Sequence, residues 1–194
     1  VRFDSFASGS QFKEAVGPIN PQGKVPVLMD GDFAIWDSLA ICEYAAERFP
    51  RPHLGPKAVK PRAPPRTVGA EMHAGFPALR SHCPMNIEAS LPHIGALVWR
   101  DQPAVRADVQ RIVGMWTELL EQHGGPMLFG EFSVADAYFA PVCARIRNYA
   151  LPVPGHVTDY IRRVFALPGV KAWVEDALAE KDFVEFDEPY RTSR

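Results

Sequence analysis

The segment "RPHLGPKAVKPRAPP", residues 51–65, constrains this chain more than any other stretch. Prolines at 52, 56, 61, 64 and 65 withhold the amide donors that a helix or a sheet ladder needs, and basic residues fill the spaces between them. Such a stretch is expected to act as a linker between independently packed parts. Residues 1–50 and 66–194 then each need a core of their own, and the 194-residue length suits two small domains.

The two sides of the linker differ in period. Before it, "VRF" at residues 1–3 suits a short strand, and "SQFKEAVG" suits a short helix ending at Gly17. After the Asn20-Pro21 turn, "VPVLMD" and "FAIW" are expected to pair as a hairpin, with Asp30-Gly31 as the turn signal. From Ser38 onward, Leu39, Ile41, Cys42, Ala45 and Phe49 recur at helical spacing until Pro50 and Pro52. After the linker everything reads as helix. One long amphipathic helix is expected over 66–90, kinked or broken at Pro77 and Pro84. A second covers 103–122, with Val105, Val109, Ile112, Trp116 and Leu120 on one face. A third runs from Ser133 to about Tyr149, and two shorter ones fill 155–181. The fold class is therefore a small α/β piece followed by an all-helical bundle.

Composition removes several classes of function. A formal net charge of -2 gives no reason to expect nucleic acid as a partner. No apolar run approaches the roughly 18 residues of a membrane-spanning helix, so no membrane partner is expected. Cys42, Cys83 and Cys143 form no CxxC and no metal-ligand cluster, and the six histidines are scattered. No metal is expected, and a reducing, cytoplasmic setting is.

Three elements carry the functional argument. Val25-Pro26 precedes a strand; the pair by itself fits a plain edge-strand turn first, and then a cis bond presenting Val25 to a peptide-like ligand. Asp37-Ser38 opens a helix. Ser38 can cap it, the helix N-terminus can receive a carboxylate, and Asp37 can pair with an ammonium group. Ser133 and Asp136 have the spacing of a capping box, a folding signal with no chemistry of its own.

"NPQGKVPVL", "WDSLAICEYAAERFP" and "GEFSVADAYFAP", in this order, resemble the glutathione transferase family over nearly the whole chain, and "AEMHAGFPALRSHCPMN" resembles the first helix of the helical domain in its bacterial members. The resemblance implies an α/β thioredoxin-like glutathione-binding domain over 1–50 and an all-helical C-terminal domain over 66–194. It implies that Val25 bonds the cysteinyl backbone of glutathione, with Pro26 in the cis form. Asp37 and Ser38 would hold the γ-glutamyl head, and Lys24 a carboxylate. Met72, His73, Phe76 and Arg80, with Asn86 at the rim, would border a pocket for an electrophilic small molecule; core packing is the competing role for Met72, Phe76 and Leu79. Cys42, Trp116 and Trp173 are expected in the core.

The pattern aligns only from the family's second strand. The thiol-activating Ser, Tyr or Cys is expected upstream of Val1, on about 40 further residues of strand, loop and helix. Ser5, Ser8 and Ser10 lie in the wrong segment for that role. The implied function is a cytoplasmic, homodimeric glutathione transferase. The alternatives are a glutathione-dependent isomerase of maleylacetoacetate type and a non-catalytic dimerisation or scaffold module.

Overall fold

The computed structural model describes residues 11–49, 58–181, 183 and 185–192. The expected strand at 1–3, Ser5, Ser8 and Ser10, and the prolines at 50 and 52 lie outside the described residues. The chain divides into two compact units, Val1–Leu54 and Gly55–Arg194.

In the first unit, α1 (Phe12–Val16) ends at Gly17, as the sequence suggests. Strands β1 (Val27–Asp30) and β2 (Phe33–Trp36) form an antiparallel pair that runs from Val27↔Trp36 to Asp30↔Phe33. Gly31 takes φ +65 in the two-residue connection, a conformation that costs a glycine little. Helix α2 (Ser38–Arg48) packs on the hairpin face that carries Asp30 and Phe33. On that face the Tyr44 hydroxyl donates to Asp30 Oδ2 at 2.5 Å, and the Tyr44 and Phe33 rings lie 6.0 Å apart. The side chains of a strand alternate between faces, so Leu28 and Ile35 share this packed side. The α2 stripe is only half-buried, and Cys42 with it, so that thiol is not the core residue the sequence suggested.

The second unit is helical: α3 (Val59–Ala74), α4 (Pro77–His82), α5 (Pro92–Asp101), α6 (Pro103–His123), α7 (Val134–Asn148), α8 (Gly155–Ala166) and α9 (Pro168–Glu180), followed by a 3₁₀ turn at Glu185–Asp187. The helix expected to begin at residue 66 begins at Val59, inside the stretch read as linker. Pro61 falls in the first turn, where a missing amide costs nothing. Pro64 and Pro65 do interrupt the ladder, and tertiary packing overrides them: Val68 and Met72 are buried, and α3 lies against α7 so closely that a Cβ on Gly69 would touch the Tyr138 ring. The break expected near Pro77 is real. Phe76 turns left-handed at φ 58, Pro77 opens α4, and Pro84 follows its end at Cys83.

Trp116 is fully buried and meets Phe139 and Tyr160 edge-on, at 5.2 and 4.9 Å between centroids. Trp173 is only half-buried, against expectation, because its helix packs chiefly on α8 and leaves its other side open. The capping box at the start of α7 is present. Asp136 is fully enclosed and accepts four hydrogen bonds: from the Ser133 amide (2.8 Å) and hydroxyl (3.1 Å), the Leu128 amide (3.1 Å) and the Tyr160 hydroxyl (3.0 Å). It joins the loop before α7, the helix itself and α8.

Candidate functional site

The first unit's site residues are set by the loop before β1. Asn20 is buried; its Nδ2 donates to the Lys24 carbonyl at 2.6 Å and its Oδ1 accepts the Gln22 amide at 3.0 Å. The Gly23 amide closes the same turn on the Asn20 carbonyl at 2.9 Å. So braced, the loop delivers Val25, whose peptide bond to Pro26 is cis. The ladder starts only at Val27, so the Val25 backbone stands outside it, and Val25 is 58% exposed.

The hairpin register brings the second element to the same end. Val27 pairs with Trp36, so Val25, two residues before, and Ser38, two residues after, lie beyond the same end of the ladder. Here the structure corrects the sequence reading. The N-cap of α2 is Asp37, and Ser38 is the first helical residue. Asp37 sits at φ 73, ψ 127, where its Oδ1 accepts the Leu39 amide at 2.8 Å and its carbonyl accepts the Ile41 amide at 2.9 Å. A non-glycine residue in this region costs about 1–3 kcal/mol, and such residues concentrate at ligand sites. What the hairpin end offers is an exposed peptide edge, a carboxylate and a helix N-terminus with its partial positive charge.

The other predicted residues fall at the corner between α3 and α4. Met72 and Phe76 are buried, which gives them the core role, and His73 is exposed with its ring edge-on to Tyr138 at 6.4 Å. Arg80 turns back over the end of α3: its Nε donates to the Gly75 carbonyl (3.0 Å) and its Nη2 to the Met72 carbonyl (2.6 Å). A cation is favourable there, because the last carbonyls of a helix lack donors. Asn86 is likewise occupied, donating to Glu188 Oε2 at 2.5 Å and accepting the Glu88 and Ala89 amides. Burial pushes the Cys83 thiol up to about 12 and the Cys143 thiol well above its usual range, so neither is a ready thiolate.

A family model for the N-terminal domain of glutathione S-transferases matches residues 3–53, and one for their C-terminal domain matches residues 86–176. The chain belongs to the glutathione S-transferase family. Glutathione S-transferase 1 of Dianthus caryophyllus is 31% identical over 136 residues, which is 69% of this chain and 59% of that protein. Maleylacetoacetate isomerase of Rattus norvegicus is 26% identical over 151 residues, 77% of this chain and 66% of that protein. The chain thus spans about three fifths of the first relative's length. A theta class glutathione S-transferase of Xanthomonas axonopodis pv. citri, solved with glutathione bound, has a TM-score of 0.59 at 22% identity, covering 82% of this chain and 76% of that one. At that identity the likeness establishes the fold: a thioredoxin-like N-terminal part and a helical C-terminal domain.

Sequence reasoning missed one residue of the hairpin end. Asn20 was recognisable as half of an Asn-Pro turn, but its carboxamide, which fixes the Lys24 carbonyl one residue before Val25, gave no signal of its own. It also missed that Asp37, not Ser38, is the cap, since that choice depends on a backbone angle and not on residue type.

Proposed function

We propose that this chain binds reduced glutathione at the hairpin end of its first unit and presents the thiol to an electrophilic small molecule. The observation that carries this reading is the register, which sets the Val25 peptide edge and the start of α2 side by side. The Val25 amide and carbonyl would pair with the cysteinyl backbone of glutathione as one further short strand, with the cis-Pro26 turn holding that edge out. The helix start at Ser38 would receive the γ-glutamyl carboxylate, and the Asp37 carboxylate its ammonium group. Lys24, which is exposed, would reach the glycyl carboxylate.

By the family resemblance, Met72, His73, Phe76 and Arg80 at the α3–α4 corner of the second unit would border the pocket for the electrophile. His73 is the exposed member there, Met72 and Phe76 shape it from beneath, and Arg80 fixes the bend. No residue among those described is assigned the task of lowering the thiol pKa. The likeness to maleylacetoacetate isomerase favours one second reading, in which the thiolate adds reversibly to a double bond and glutathione is regenerated. We place the protein in the cytoplasm as a homodimer, following the family resemblance.

Calorimetric titration of glutathione into the whole chain tests the site. Ser38→Ala should weaken binding by about 1–3 kcal/mol through loss of a hydrogen bond to a charged group. An unchanged dissociation constant in a folded variant would refute the assignment. A parallel assay with an aryl halide and with a cis-enone distinguishes conjugation from isomerisation. Binding without either reaction would leave a glutathione-binding module.

A further inference from the structure

Five arginines among the described residues meet a carboxylate: Arg48 with Asp30, Arg100 with Asp101, Arg111 with Glu71, Arg162 with Asp159, and Arg191 with Glu88 and Glu188. Arg80 on α4 and Arg145 on α7 do not. Arg80 spends its Nε and Nη2 on the backbone carbonyls of Gly75 and Met72, with His73 a longer third at 3.4 Å. Arg145 donates through Nη1 to the Pro141 carbonyl at 3.2 Å. Its Nε is sealed from solvent and has no hydrogen-bond partner.

The neighbours of Arg145 make matters worse for a cation. Its guanidinium is held down to about 10, first by burial and then by the charge of Arg80, which lies close enough to oppose it. The other groups that face it are Cys83 and Tyr149. Burial raises the pKa of both, so they are uncharged at neutral pH, and the Tyr149 hydroxyl already donates to the Pro84 carbonyl at 3.0 Å. The Tyr149–Pro84 bond joins the end of α7, one turn beyond Arg145, to the end of α4, which carries Arg80, and among the described residues no carboxylate is bonded to either guanidinium. A guanidinium withdrawn from water without a counter-ion is unfavourable, and an anion that supplied one would be bound tightly for its size.

We propose that the Arg80–Arg145 pair is a binding site for a small carboxylate. The donor count selects that chemistry. Arg80 has its Nε and Nη2 tied to carbonyls and contributes mainly charge. Arg145 has its Nη1 engaged, which leaves the Nε and Nη2 hydrogens on one edge of the fork. Two parallel donors on a planar edge match the two oxygens of a carboxylate, reached by a small turn of the half-buried side chain. A phosphate monoester brings three oxygens and a second charge, more than this edge can satisfy. The site belongs to the helical unit alone and does not depend on the glutathione reading.

The test is a titration of the whole ¹⁵N-labelled chain, without glutathione, followed at the Arg145 Nε–H resonance. Formate and benzoate are the probes, with phosphate and chloride at equal ionic strength for comparison. The expected result is a saturable shift with the carboxylates and none with chloride, weakened at least about tenfold in Arg145→Lys, which keeps the charge and loses the fork. In the lysine variant the Tyr149 ring signals report binding instead. Arg80→Gln should weaken it as well, and it serves if Arg145→Lys fails to fold. Ser38→Ala should leave it unchanged. The proposal is overturned if no carboxylate moves the resonance, if phosphate binds as well as carboxylate, or if the affinity survives loss of either arginine.

Discussion

Replacing Asp136 with alanine should be among the most damaging single changes in the helical unit. The carboxylate is fully enclosed and receives four hydrogen bonds, from Ser133 twice, Leu128 and Tyr160. Loss of a helix cap costs about 0.5–2 kcal/mol by itself. Here the truncation also strands the Leu128 amide and the Tyr160 hydroxyl, both on fully buried residues, at about 1–3 kcal/mol each. Removing a buried charge returns part of that, since its desolvation is no longer needed. The net expectation is a loss of about 3–5 kcal/mol, the range found when one partner of a buried charged network is removed. Asp136→Asn keeps one acceptor oxygen and turns the other into a donor facing donors, so it should cost less than alanine only if its remaining oxygen can serve Leu128 and Tyr160. Tyr160→Phe removes a single donor and should cost about 1 kcal/mol, and much less when Asp136 is already alanine. The measurement is urea unfolding followed by far-ultraviolet circular dichroism, which the helices dominate. A loss below about 1 kcal/mol for Asp136→Ala, or additive behaviour of the double variant, would refute the hub.

Two glycines should respond oppositely to alanine. At Gly95 a Cβ would stand 1.7 Å from the Tyr149 carbonyl oxygen, which is backbone and cannot swing aside, so Gly95→Ala should lose at least about 3 kcal/mol of stability in the same unfolding experiment. Gly114, inside α6 with nothing within 4 Å, should gain about 0.5–1 kcal/mol on the same change. Stability should also fall as the pH rises above about 9, when the unfolded chain gives up thiol and phenol protons that the native chain still holds on Cys83, Cys143 and Tyr160. Cys83 alone spans a window from 9.0 to about 12; Arg145, held down to about 10, acts in the opposite sense above that pH but is outnumbered. A melting temperature that stays level between pH 9 and 11 would contradict this, and Cys83→Ala should make the decline shallower.

Distance along the chain decides what the sequence could disclose. Val25 and Ser38 are brought together by a hairpin with a two-residue turn, so a glycine signal and two short alternating runs suffice to place them at one end of the ladder. The helix start at Pro103 was equally local, because a proline at the first helical position announces itself. The passage of α3 through Pro64 and Pro65 was not local. Each proline costs about 3 kcal/mol in a helix interior, and what offsets it is the packing of Val68, Gly69 and Met72 on α7, some seventy residues later. Arg80 escaped for the same reason. As a residue type it fits a pocket rim; only the left-handed turn at Phe76 folds α4 back so that its guanidinium reaches the carbonyls of α3. Asp136 lies between these extremes. Its spacing from Ser133 announced a cap, and the same carboxylate then gathered Leu128 and Tyr160, partners that only the folded bundle supplies. The cap explains why the residue is legible, and the two distant donors explain why its removal should cost more than a cap.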